Sequence, residues 1–170
     1  MGERIYLIQN SSQVTTAAPV KQPTGSAIRT MLQIEAPSTR SLTILEWGIS
    51  FDGSAAATPI ECELLTTTVA ATMSTASVAG DVTLWNAPND EVSLITYGGT
   101  THTGFATAAV TEGTVANARM LDLQLIAPTN QYVKQFPLGR EPVVPVSKFL
   151  RVRVTAAATV NAYIYVIWSE

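Results

Sequence analysis

The chain has 170 residues, a formal net charge of −3 and a single cysteine, which sets the scale of one domain with room for a proper core. Three lysines and seven arginines, none in a run, offer no basic patch for nucleic acid. One cysteine excludes an internal disulfide, and no stretch nears the roughly 20 apolar residues that cross a bilayer.

Charged residues make up 14% of the chain, against about 25% in ordinary soluble domains. Thr and Ala together supply about a quarter of it. Small neutral residues in place of charges let surface be buried against neighbours at little desolvation cost, which suits a subunit of an assembly. The segment from Met1 to Tyr6 lacks a charged start followed by an apolar run, so no signal peptide is expected. Tyr6 stands where myristoylation requires Ser or Thr.

Residues 1–27 read as an extended arm. After the apolar Ile5 to Ile8, the stretch from Asn10 to Ser26 is rich in Ser, Thr, Ala, Pro and Gly and buries little by itself. The body, residues 28–170, opens with a strand from Ile28 to Glu35 in which Ile28, Leu32 and Ile34 share a face. Leu42 to Phe51 is a second strand, with Leu45, Trp47, Ile49 and Phe51 on one side and Glu46, Gly48 and Ser50 on the other. Asp52-Gly53 then signals a hairpin into Ile60 to Leu65, where Ile60, Cys62 and Leu64 point inward and Glu61 and Glu63 outward.

Between Thr66 and Gly80 the pattern fits strand, loop or short helix, with Thr66 to Val69 favouring strand. Val92 to Thr96 reads as a short strand, and Tyr97 to Gly113 as a surface loop around Phe105. Met120 to Ile126 is a strand with Leu121, Leu123 and Leu125 on one face. Pro128-Thr129-Asn130 turns the chain, Tyr132 to Phe136 extends it, and prolines punctuate the connection up to Pro145.

The chain closes on two strands. In Phe149 to Thr155, Leu150, Val152 and Val154 alternate with Arg151, Arg153 and Thr155. In Val160 to Trp168 both faces are apolar or aromatic: Val160, Ala162, Ile164, Val166 and Trp168 on one, Tyr163, Tyr165 and Ile167 on the other. A strand with two such faces has water on neither. About eight short strands joined by long irregular connections predict an all-β antiparallel jelly-roll sandwich.

Catalytic chemistry is sparse. His102 is the only histidine and its surroundings, Thr100-Thr101-His102-Thr103-Gly104, match no nucleophilic motif. His and Cys total two residues, too few for a zinc site. Glu61 and Glu63, about 7 Å apart on one strand face, have a glycosidase-like separation, but pairing with Arg151 and Arg153 across strands consumes the same four charges. Asp52-Gly53 and Asn89-Asp90-Glu91 lack the alternating ligands of a calcium loop. No cofactor and no metal is expected, and no catalytic residue is assigned.

Surfaces remain. Tyr163, Tyr165 and Ile167 form an uncharged aromatic face of the kind found at interface centres, and are the expected oligomer interface. Trp47 and Trp168 belong to core parities. Trp85 and Phe105 are candidates for stacking on a sugar ring, which defines a rival reading as a carbohydrate- or receptor-binding module. A glycosidase or esterase using Glu61, Glu63 or His102 is the enzymatic rival.

Three stretches carry a resemblance: Glu46-Trp47-Gly48-Ile49-Ser50-Phe51-Asp52-Gly53, Phe136-Pro137-Leu138-Gly139-Arg140-Glu141-Pro142 and Phe149-Leu150-Arg151-Val152-Arg153-Val154. Together they resemble the small jelly-roll structural proteins of tailed bacteriophages. The resemblance implies a homotrimer of tumour-necrosis-factor-like shape on the virion. Such a capsid decoration protein would sit on the outer shell and bind the major capsid protein through its arm and base. A head-fibre or tail position stays open, because this chain has no obvious helix.

Overall fold

The computed structural model describes residues 3–13, 16–87 and 91–170. In chain order its strands are β1 (Ile5–Gln9), β2 (Gln22–Pro23), β3 (Ile28–Glu35), β4 (Leu42–Phe51), β5 (Ile60–Thr67), β6 (Thr75–Ala76), β7 (Val82–Leu84), β8 (Gly104–Phe105), β9 (Arg119–Ile126), β10 (Gln131–Gln135), β11 (Val143–Val144), β12 (Phe149–Thr155) and β13 (Asn161–Ser169). One 3-10 turn spans Ala79–Asp81, and no α-helix occurs among the described residues. Eight of the thirteen segments are five residues or longer; the short five are rungs added to the ends and edges of these.

Two antiparallel sheets enclose one core. The first runs β10-β4-β13-β1-β7, with β11 also on β4 and β2 also on β13; the second runs β6-β8-β3-β12-β5-β9. The protein is an all-β antiparallel sandwich. Between the sheets lie Trp47, Trp168, Ile8, Ile34, Ile44, Leu64, Val152 and Val166, each at most 1% exposed. Tyr6 and Trp168 stack at 5.9 Å between ring centroids. Cys62 is buried among them, and burial pushes its thiol up to about 12.

The expected arm is in part a strand of the body. β1 lies between β13 and β7, pairing Ile5 with Ser169 through to Gln9 with Tyr165, because Tyr6, Leu7 and Ile8 need cover on both faces. β2 then resumes beside the same edge of β13, Gln22 facing Ala162 and Pro23 facing Asn161. The described residues between them, 11–13 and 16–21, are therefore an excursion from a single interrupted strand. Asn10 seals the gap: its N–H donates to the Ile164 carbonyl at 3.0 Å, its side-chain amide donates to Ala162 O at 3.1 Å, and its Oδ1 accepts from Ile164 N–H at 2.8 Å. One side chain thus replaces the main-chain partners that the departing chain removes.

Three irregularities shift the expected parities. In β3 the register on β12 slips between Val152 and Arg153, passing over Met31; Thr30 turns outward, and Ile28 ends 44% exposed. In β4 the slip on β13 passes over Leu45, so Leu42 and Ile44 take the inward places ahead of Trp47. In β9 it passes over Leu121 on β5. Each slip exchanges the faces of the residues beyond it.

Other expectations change too. Asp52-Gly53 closes no hairpin, since β4 and β5 belong to different sheets; the turn starts a crossing between sheets. Residues 92–96 form no strand, although Ile95 is in the core. The Tyr97 to Gly113 segment is not a surface loop throughout: Thr103, Phe105 and Ala106 are at most 2% exposed, and β8 pairs with β3 and β6.

That segment is held by a buried charge. Arg151, 0% exposed, pairs with Glu112 of the segment and donates from Nε to Thr30 Oγ1 at 3.0 Å. Thr30 Oγ1 in turn donates to Glu112 at 2.7 Å. The expected fourfold pairing forms only in part: Arg153 meets Glu63 at 2.7 Å, Arg151 takes Glu112, and Glu61 stays exposed.

Two stability predictions follow from these contacts. Asn10→Ala leaves a buried N–H and a buried carbonyl unpaired and is expected to cost about 1–3 kcal/mol in urea unfolding. Arg151→Ala strands Glu112 and should cost about 3–5 kcal/mol, whereas the double variant R151M/E112Q should recover most of that loss.

Candidate interaction surfaces

The expected interface residues lie on the outer face of the first sheet, as period two requires of β13. Tyr163 is 37% exposed and Ile167 only 8%; Tyr165 is half-buried. Their polar atoms are committed within the chain. Tyr163 donates its hydroxyl to Pro19 O of the excursion. Tyr165 donates to Glu46 Oε1, while Glu46 Oε2 accepts from Gln135 Nε2 at 2.6 Å. Burial, and then the Glu46 carboxylate, hold the Tyr165 phenol well above its usual range.

The Tyr165 ring lies flat on the sheet over Gly48. A Cβ at Gly48 would stand 2.3 Å from Cε1 of that ring, so only glycine accepts the aromatic lid. Beside it, Gln9, Pro19, Tyr163, Ile164 and Tyr165 line a small cavity of about 250 Å³. This face is a shallow apolar dish with tyrosine walls, partly roofed by residues of the excursion.

Trp85 and Phe105 do not form a pair on the surface. Trp85 is 60% exposed, directly after β7, but Phe105 is 2% exposed within β8. Its ring is a core element with no free face for a sugar.

The catalytic candidates are likewise accounted for. His102 Nδ1 bonds the Glu35 carboxylate, its carbonyl accepts from Gln33 Nε2 at 2.7 Å, and no nucleophile joins them among the described residues. Glu63 is taken by Arg153. Asp52 pairs with Lys21 and accepts from Asn161 N–H at 3.1 Å; these bonds, Lys21 foremost, hold its carboxyl below the usual range. Asn89 and Asp90 lie outside the described residues. Among those described, no three His, Cys, Asp or Glu side chains gather as a metal site.

A second surface was legible only as a pattern. Of the expected face of Leu121, Leu123 and Leu125 only the last two share a side, and it is the outer one: Leu123 is 57% and Leu125 70% exposed, with Met120 at 49%, while Leu121, at the bulge, turns in against the core. The polar side of β9 turns inward instead, because Asp122 is a bonding node between the sheets. It accepts from Trp47 Nε1 at 3.2 Å, Tyr132 OH at 2.8 Å, Gln124 Nε2 at 2.9 Å and its neighbour Leu123 N–H at 3.1 Å. Burial and the Asp122 carboxylate push the Tyr132 phenol up to about 12.

The most exposed large apolar side chain among the described residues lies between β10 and β11. Leu138, 95% exposed, sits in a turn closed by Arg140 N–H to Pro137 O at 2.9 Å. Gly139, at φ +80°, supplies the left-handed residue. Comparison with protein-family models, with curated proteins and with solved structures found no match.

Two measurements check this account. Gly48→Ala should destabilise the native chain but cost much less in a Tyr165→Ala background, a non-additivity that a double-mutant cycle reads. Tyr97 and Tyr132 both titrate near 12 in the fold against 10.0 normally. The unfolded chain therefore loses these protons first, and stability should fall as pH rises from 10 towards 12. Thermal melts across that window should show the loss, and Tyr132→Phe should reduce it.

Proposed function

We propose that this chain is a non-enzymatic structural subunit of a phage particle, a jelly-roll capsid decoration protein that trimerises on the outer shell and stabilises it. The observation that carries this reading is the apolar surface. Fourteen large hydrophobic side chains are exposed among the described residues on a chain that is only 14% charged. Scattered apolar residues are ordinary, but runs such as Met120, Leu123 and Leu125, or a fully projecting Leu138, mark surfaces that meet other protein.

The strand order supports the jelly-roll part of the reading. Considering the eight longer strands, β1-β13-β4-β10 in one sheet faces β3-β12-β5-β9 in the other. Among these eight the chain changes sheet at every step but β5–β9, which is the interleaving of two Greek keys wound together.

The mechanism is mass action. A protein that binds only the assembled shell stabilises it by its binding free energy, and three linked copies multiply weak contacts. The dish of Tyr163, Tyr165 and Ile167 is the proposed three-fold contact. The excursion at residues 11–21, exposed over Ser12, Gln13 and Thr16 to Lys21, takes the role of the arm that meets the major capsid protein.

Light scattering tests the assembly. The expected mass is three times 18.1 kDa, falling to one copy in Tyr163→Asp with the fold kept. A strict monomer at every concentration overturns the reading. Replacing residues 12–20 by one glycine should leave the trimer intact and abolish co-sedimentation with phage shells.

A further inference from the structure

We propose that the open edge of β9 pairs antiparallel with β9 of a second copy across a two-fold axis centred on Leu123. This contact goes beyond the virion reading and does not depend on it.

The first ground is the state of the edge. β9 is the last strand of its sheet, eight residues long, and among the described residues no strand covers its far side. Natural edge strands of this length carry outward charges, prolines or bulges that repel another strand. From Met120 to Ile126, β9 carries no proline and no charge on its exposed face. Its charges are Arg119 at the start and Asp122. Arg119 donates to the Val143 carbonyl at 3.2 Å, and Asp122 is turned to Trp47 and Tyr132. The single bulge passes over Leu121 on the β5 side.

The second ground identifies the occupant. From 120 to 126 the strand reads Met-Leu-Asp-Leu-Gln-Leu-Ile, a chemical palindrome about Leu123. In an antiparallel pair whose positions sum to 246, Leu123 meets Leu123 and Asp122 meets Gln124; past the bulge at Leu121 the register steps by one, so that the exposed Leu125 meets the exposed Met120. Every residue faces one of its own class or a hydrogen-bonding complement, which is what an isologous contact requires. A generic extended peptide would have no reason to match this pattern.

The backbone agrees with that register. Leu123 N–H bonds its own Asp122 side chain rather than β5, so Leu123 directs its main-chain groups away from the sheet. An antiparallel pair centred there exchanges two N–H···O bonds between the Leu123 residues. Asp122 Oδ1, released from Leu123 N–H, keeps Gln124. The product is a continuous sheet through two copies, with a ladder of leucines from both on the outer face.

Engineered cysteines read the register directly. Leu123→Cys places two thiols opposite each other, with Cα atoms about 5.5 Å apart, inside the range a disulfide spans. The native Cys62 is buried and stays silent. Under mild oxidation Leu123→Cys should give a covalent dimer, and Leu125→Cys, facing Met120, should not. Leu123→Lys, changing a side chain already 57% exposed, should keep the circular dichroism spectrum and at least halve the mass of the associated species.

A Leu123→Cys protein that stays monomeric on a non-reducing gel overturns the proposal. So does equal cross-linking through Leu125→Cys, or an unchanged mass in Leu123→Lys. Because Tyr163→Asp addresses a different face, loss of the trimer there with the Leu123 cross-link retained removes the three-fold contact and leaves this one standing.

Discussion

Strand β13 exists in water only because both of its edges and its inner face are occupied, and water reaches it only on the tyrosine side, where Tyr163 is 37% exposed. Its inner side chains, Ala162, Ile164, Val166 and Trp168, are all at most 1% exposed. Its outer ones form the tyrosine dish. An edge position would leave one row of its main-chain groups without partners beneath an apolar surface. β4 takes one side along nearly the whole strand, and β1 with β2 takes the other. The N-terminal segment is thus required for the core, and the side chain of Asn10 lets that segment leave and return without opening the sheet.

Long side chains solve the same problem elsewhere. Arg151, wholly buried, is compensated by Glu112 and Thr30. Its burial opposes its charge and lowers its proton affinity, so the carboxylate must come to it, and with it the segment that carries β8. Asp122 does for the two sheets what Glu112 does for one sheet and its loop: a single carboxylate gathers donors from β4, β9 and β10. These three nodes set which connections are fixed.

Much of this was legible in the chain. Period two in Phe149 to Thr155 and in Asn161 to Trp168 gave both strands, and the inward set of Ile60, Cys62 and Leu64 is the observed one. What period two cannot carry is a slip. Met31, Leu45 and Leu121 sit at bulges without a glycine or proline to announce them, so Ile28 and Leu45 were assigned to the wrong side of a displaced register. Asp52-Gly53 has the composition of a hairpin, yet the chain uses it to change sheets, a choice made by pairings far away in sequence. Phe105 hid among Thr, Ala and Gly because the partner that buries its segment, Arg151, lies on the far side of the chain. Of the leucine face expected on β9, Leu123 and Leu125 keep a common side, whose direction depended on Asp122 finding Trp47 and Tyr132, while Leu121 leaves it at the bulge. The tyrosines of β13 lie on the side opposite Trp168, as period two requires, whereas their hydroxyl partners, Pro19 and Glu46, were not foreseeable from spacing.

The excursion between β1 and β2 separates two kinds of freedom. Asn10 meets Ile164 and Gln22 meets Ala162, so the chain leaves and rejoins the sheet within two positions of β13. Nothing in the pairing depends on how many residues lie between. Lengthening or rewriting that stretch would cost its own side contacts, such as Pro19 with Tyr163 and Lys21 with Asp52, but would alter no strand register, and closure entropy grows only slowly with its length. The molecule is therefore built like a mount with an interchangeable fitting, in which the surface offered to a partner can diversify while the frame beneath it stays constant.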